Sequence, residues 1–275
     1  MRKKERYQVR YEDIDWGALW RQVQDDAGWK PRQASAWDER ASSFAKRSTH
    51  AAFEQQCLHL IAAQPEWTVL DVGAGPGTLA VPLAARVRHV TCMDFSAAML
   101  SEAARRAKEE GRSNFSTVHA SWTDDWESLG IVPHDLVIAA RSLSVRDILA
   151  ALRRMSTYGQ RKRVVVDRVG SGPFDPMAFA AVGREPRRGP DYIYTLNALY
   201  QLGYRASVVY VYGDNSRLCI SLEDACASYN WMLPDLTPQE QALLLKYVRS
   251  IATRQEDGSF LLQPEHRPVW AYISW

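Results

Sequence analysis

Cysteine is scarce in this chain of 275 residues: there are four, Cys57, Cys92, Cys219 and Cys226. None forms a CxxC pair and no histidine stands at metal-site spacing, which argues against zinc and against a disulfide framework. They read as reduced, mostly buried thiols. Long apolar runs are missing too. No stretch approaches the roughly 18 residues of a spanning helix, and Met1-Arg2-Lys3-Lys4-Glu5-Arg6 has no apolar stretch of signal-peptide type. The cytoplasm is therefore the expected location. Charge of one sign is also lacking, since 34 basic and 32 acidic side chains leave a formal +2. No global attraction to nucleic acid or to an anionic membrane is expected. Repeats and low-complexity tracts are absent. What is there is a 46% hydrophobic chain, enough for one large domain or one domain with an embedded cap.

The most informative stretch is Thr68–Leu83, TVLDVGAGPGTLAVPL. Val69, Leu70 and Val72 form a short apolar strand in which Asp71 is the one acid. Gly73, Gly75 and Gly77 follow at alternate positions, where a missing Cβ permits positive φ and close approach of a ligand. A helix is expected to begin near Thr78. Such a unit aims backbone N–H groups at whatever lies above the strand's C-terminal end. The next extended run, His89–Asp94, ends in an acid about 20 residues beyond Gly73, a placement suited to the two hydroxyls of a ribose. Phe95 offers a ring for a base, and Ser96 is placed to cap a helix over Ala97–Glu110.

Two cofactors share that geometry. A dinucleotide site spaces its glycines GxGxxG and faces a pyrophosphate. Here the spacing is GxGxG, and Asp71 stands two positions before the first glycine, where it would repel a pyrophosphate but hold a cationic amino group. Asp71-Val72-Gly73-Ala74-Gly75-Pro76-Gly77 together with Asp94 resembles the class I S-adenosylmethionine-dependent methyltransferases, most closely the small-molecule group related to quinone-biosynthesis enzymes. The resemblance implies S-adenosyl-L-methionine as cofactor and S-adenosyl-L-homocysteine as product. It places Asp71, Gly73 and Gly75, with Ala74 between them, at the methionine portion, Asp94 at the ribose, and Phe95 and Met99 at the adenine. Met99 reads equally as core. The family often has an acid after the third loop that accepts from the adenine amino group; Ser121 occupies that place here, with Asp124 within reach. Trp122 either stacks on the base or packs.

The alternation of strands and helices indicates an α/β, doubly wound, seven-stranded Rossmann-like sheet. Strands are expected at Phe115–Ala120, Asp135–Ala140, Arg163–Asp167, Ala206–Tyr212 and Pro268–Trp275, and helices at Val145–Met155 and Asp191–Leu202. Residues 1–66 read as an N-terminal helical lid or cap, and 67–275 as the methyltransferase core. Helices Leu222–Met232 and Pro238–Thr253 form a helical insertion, about 213–267, before the last strand. Trp37, Arg40 and Phe44 lie in a segment that folds over the cofactor in the resembling family; plain packing of Trp37 and Phe44 is the other reading. Gly170–Pro190, with Arg184, Arg187 and Arg188, is a long loop with a helical turn around Met177–Val182.

Methyl transfer from a sulfonium needs alignment and water exclusion more than a strong catalyst, so no catalytic residue and no metal is assigned. Arg141, after the fourth strand, is counted with the cofactor contacts and is also placed to orient an anionic acceptor; a solvated arginine is the plainer reading. Arg168 and the loop arginines are expected to converge with it. Asp167 and Arg168 either face the same cleft or pair with each other. The expected partner is a small or medium-sized acceptor, anionic if those cations converge. Nucleic acid is disfavoured for want of an appended module, and a homodimer stays open. Two rivals remain: a non-catalytic cofactor-binding subunit or sensor, and a nicotinamide-dependent oxidoreductase, which Asp71 and GxGxG disfavour.

Overall fold

The computed structural model describes residues 10–31, 34–38, 51–186 and 189–275. Seven strands form one sheet. In chain order they are β1 Thr68–Val72, β2 His89–Asp94, β3 Phe115–His119, β4 His134–Ala140, β5 Gly159–Arg168, β6 Ser207–Tyr212 and, after an insertion, β10 Val269–Ser274, arranged β3-β2-β1-β4-β5-β10-β6. β1 to β5 pair in parallel, whereas β10 is antiparallel to both β5 and β6. The central strands are apolar on both faces, as buried parallel strands must be. β1 has β2 on one side and β4 on the other, so the order in which strands are added reverses there and a crevice opens above its C-terminal end.

Helices cover both faces. On one lie α3 Ala51–Ile61, α4 Ala80–Ala84 and α5 Ala97–Glu109, whose Phe53, Cys57, Leu83 and Ala103 pack with Val90, Leu136, Val166 and Trp270. On the other lie α1 Trp16–Asp26, α6 Ile148–Tyr158 and α8 Tyr192–Gln201, with Trp20, Leu152 and Leu199 against Leu70, Val137 and Ile273. Residues 1–66 therefore supply helices to opposite faces. Trp20 is 2% exposed and its Nε1 donates to the Val145 carbonyl at 2.8 Å, which makes α1 part of the core. Its buried stripe is Gly17, Trp20 and Gln24. Short α2, Ala34–Asp38, lies instead over the start of α5, where Asp38 accepts from the Ser96 hydroxyl at 2.5 Å.

Ser96 caps α5 as expected and Asp191 caps α8, whereas α6 begins at Ile148, after its cap Asp147, rather than at Val145. Segment 213–267 contains the expected helices, as α9 Leu222–Ala227 and α10 Pro238–Ile251. It also contains a three-stranded antiparallel sheet of β7 Arg217–Cys219, β8 Ala252–Arg254 and β9 Phe260–Leu262, which sequence reading did not find. α7, Pro176–Ala181, from the long loop, joins it: Ala178, Phe179, Cys219, Leu244 and Leu262 form a separate core. Asp175 caps α7 and accepts from the Tyr247 hydroxyl at 2.7 Å, and Arg184 pairs with Glu240 at 2.6 Å. Loop and insertion are one substructure beside the main sheet's core.

Candidate functional site

Above β1 the chain folds back on the end of β2. The Gly73 and Ala74 N–H groups both donate to the Met93 carbonyl, at 2.8 and 3.0 Å. The Gly75 N–H donates to Asp94 Oδ2 at 2.8 Å, and the Ser96 N–H to Asp94 Oδ1 at 2.9 Å. One carboxylate thus ties the glycine turn to the start of α5. Gly73, φ 68°, has no room for a side chain, because a Cβ there would lie 2.5 Å from Ser142 Cβ. Gly75, φ 56°, differs: a Cβ there would meet no atom within 4 Å. Its left-handed backbone borders open space in the crevice.

Two acids line this place. Asp71 is 2% exposed, and burial, then the Asp94 charge, push its carboxyl up to about 7 against the opposing Ala80 N–H. Burial also raises Asp94, opposed by the N–H groups of Ser96 and Gly75. Two buried acids at one turn suit a cation and hydroxyl groups and oppose a pyrophosphate. Ser142, which sequence reading left out, packs on Gly73 and donates its hydroxyl to the Val72 carbonyl at 2.6 Å. The serine's place after the fourth strand was its only signal.

Beyond β2, Phe95 is half-buried and its carbonyl accepts from His119 Nε2 at 3.0 Å. Met99 is buried on α5. Ser121 sits in a turn: its N–H donates to Asp124 Oδ2 at 2.8 Å and its hydroxyl lies 3.1 Å from that of Thr123. Trp122 is half-buried against Trp126, and its Nε1 donates to the Ser142 carbonyl at 3.1 Å. That bond brings the third-strand loop to the loop after β4. Trp37 is half-buried on α2, whereas Arg40 and Phe44 lie outside the described residues.

Arg141 follows β4 with a left-handed φ of 59°. Its guanidinium lies 4.7 Å from the Phe53 ring centre and 5.6 Å from that of Trp270. Among the described residues the expected convergence of cations does not occur. Arg168 donates to the Gly189 and Pro190 carbonyls, and Arg184 is held by Glu240 and the carbonyls of Pro234 and Asp235; Arg187 and Arg188 lie outside the described residues. Asp167 and Arg168 share no side-chain pair either. Asp167 accepts from the Thr195 hydroxyl and the Arg168 N–H, both at 2.8 Å, and burial pushes it up to about 6.

Comparison with known proteins agrees with this geometry. The family model of the methyltransferase domain matches residues 69–159, the span from β1 to the start of β5. An uncharacterized protein of Haemophilus influenzae is 34% identical over 247 residues, covering 87% of this chain and 88% of its own. The demethylmenaquinone methyltransferase of Clavibacter sepedonicus is 35% identical over 106 residues, 36% of this chain and 42% of that one. Among solved structures, a Bacillus halodurans protein described as a candidate methyltransferase superposes with a TM-score of 0.53 at 13% identity, over 80% of this chain and 96% of that one, which is a likeness of fold. A glycine turn joined by Asp94 to the second strand, above a sheet ordered β3-β2-β1-β4-β5-β10-β6, and the family match over that unit mark residues 69–159 as a methyltransferase domain on the class I, Rossmann-like fold.

Proposed function

We propose that this protein transfers the methyl group of S-adenosylmethionine to a small or medium-sized acceptor by in-line displacement. The observation that carries this reading is the open, left-handed Gly75 bonded to buried Asp94, with a second buried acid, Asp71, on the strand that leads into the turn. The bound cofactor supplies an activated methyl on a sulfonium sulfur, which leaves as a neutral thioether. The protein's part is to hold, align and exclude water. Asp94 accepts from the ribose hydroxyls on lone pairs not used by Gly75 and Ser96. Asp71 answers the amino group of the methionine portion, with Gly73, Ala74 and Gly75 giving close backbone approach. Phe95 and Met99 flank the adenine, and Ser121 and Trp122 border it, with Ser121 in the place of the family's acid.

In the same reading α2 and Trp37 are the described part of a lid that also includes Arg40 and Phe44, whereas α1 and α3, from the same N-terminal segment, pack in the core. Residues 67–275 form the core, and 213–267 an insertion that helps choose the acceptor. The match to the demethylmenaquinone methyltransferase spans only 106 residues, and the relative's acceptor is not carried over. No described helix is long and apolar enough to cross a membrane, which agrees with a cytoplasmic enzyme. Calorimetric titration with S-adenosylhomocysteine and with NADH tests the proposal. Heat with S-adenosylhomocysteine alone is expected, and heat with NADH alone would overturn it.

A further inference from the structure

A cation taken out of water needs an opposite charge or hydrogen-bond acceptors, because desolvation otherwise disfavours its charged form. Arg141 lacks both. Among the described residues no carboxylate pairs with its side chain and no carbonyl accepts from it; the groups around its guanidinium are the rings of Phe53 and Trp270 and the Cys57 thiol. Burial accordingly draws its pKa down to about 10. The thiol gives no counter-charge, since its own burial pushes it up to about 12. Two arginines that the sequence set beside it are held by the protein: Arg184 by Glu240, and Arg168 by the carbonyls of Gly189 and Pro190. Arg141 as a residue is still partly exposed, so a ligand can reach it.

The sheet shows which ligand is in reach. In the order β2-β1-β4-β5-β10, the glycine turn and Asp94 top β1 and β2, while Trp270 lies on β10 opposite Arg168 of β5. The Arg141 side chain leaves β4 and extends over β5 toward β10, away from β1. With neighbouring strands about 4.8 Å apart, its guanidinium stands roughly 10 Å from the β1 turn. A cofactor spread over β1 and β2 points its reactive end toward β4, and the space beyond β4 belongs to the acceptor. Among the described residues Arg168 and Arg184 are already held, and the Arg141 guanidinium, matching a monoanion in charge, presents the fork that binds a carboxylate through two parallel N–H···O bonds.

We infer that the methyl acceptor carries a carboxylate, which Arg141 grips from between Phe53 and Trp270 while the accepting atom is presented over β4. This rests on the methyltransferase reading and adds a class of acceptor to it. The carboxylate is a handle and takes no part in bond changes: the acceptor atom bonds to the methyl carbon, the C–S bond breaks, and sulfur keeps the electron pair.

The test uses the full chain saturated with S-adenosylhomocysteine, arginine side chains labelled with 15N, and two probes of one shape, benzoate and benzamide. Benzoate is expected to shift the Arg141 Nε signal saturably and to bind at least about tenfold more tightly than benzamide, the factor for about 1.4 kcal/mol. Arg141→Gln should remove benzoate binding and Arg141→Lys should retain part of it. Both should keep S-adenosylhomocysteine affinity within about twofold, because the contact is with acceptor and not cofactor. Equal binding of the two probes, no saturable shift, or a loss of S-adenosylhomocysteine binding in Arg141→Gln would each overturn the inference. Wild-type protein that fails to bind S-adenosylhomocysteine would instead overturn the methyltransferase reading itself.

Discussion

Asp71 and the glycines beside it were legible from the sequence as a motif, but their individual roles needed neighbours. Burial and the Asp94 charge hold the Asp71 carboxyl up to about 7, against about 3.9 in an unfolded chain. The folded protein therefore keeps a proton that the unfolded chain has lost. Asp71's contribution to stability should be greatest below about pH 4, decline as pH rises to about 7, and level off above. A cationic amino group binding beside it favours the ionised form and expels that proton. S-adenosylhomocysteine affinity should thus rise between pH 5.5 and 7.5, on the order of one proton released per site. Asp71→Asn should flatten this profile; calorimetry in buffers of different ionisation heat counts the protons, and a flat wild-type profile would remove Asp71 from the amino group. The glycines separate in the same way. Gly73→Ala drives a Cβ to 2.5 Å from Ser142 Cβ and should lower the melting temperature. Gly75→Ala meets no protein atom within 4 Å; it carries only the left-handed backbone penalty, about 1–2 kcal/mol, yet should lose at least about tenfold in cofactor affinity by crowding the crevice. Equal stability losses with unchanged binding would show that both glycines serve the fold alone.

At the scale of elements, local pattern found the strands of the main sheet and most helices, because a buried parallel strand and an amphipathic helix each carry their own period. It failed where an element exists only through distant partners. β7, β8 and β9 are three residues long, too short for a period, and are held by pairing across 213–267. The expected helix over Leu222–Met232 ends at Ala227, after which Tyr229, Met232 and Leu233 turn into the small core. α1 and α3 both belong to the segment read as an N-terminal helical lid or cap, yet pack in the core on opposite faces of the sheet. For α1 this leads to a definite expectation. Trp20 is buried and hydrogen-bonded to Val145, so Trp20→Ala should cost about 3–5 kcal/mol of stability in urea unfolding. Cofactor affinity of the folded mutant should be nearly unchanged. A loss below about 1 kcal/mol would mean that α1 is a detachable cap.

Over the whole molecule, the site is a consequence of sheet order. Placing β1 between β2 and β4 opens the crevice, and the return of β2 beside it delivers Asp94 to the glycine turn. The sequence carried this much because strand, turn and acid are close in the chain. Ser142, Asp38 and the rings around Arg141 come from distant segments that no local spacing reports. The arginines looked convergent for the same reason, but Arg168 ties the end of β5 to the 170–190 loop and Arg184 ties that loop to the insertion. The central claim, that Asp94 reads the ribose of S-adenosylmethionine, is tested most directly by the S-adenosylhomocysteine affinity of Asp94→Ala against wild type, each checked for folding by its melting curve. The loss of hydrogen bonds to a charged group predicts weaker binding by about 1.5–3 kcal/mol. Unchanged affinity in a folded mutant would contradict it.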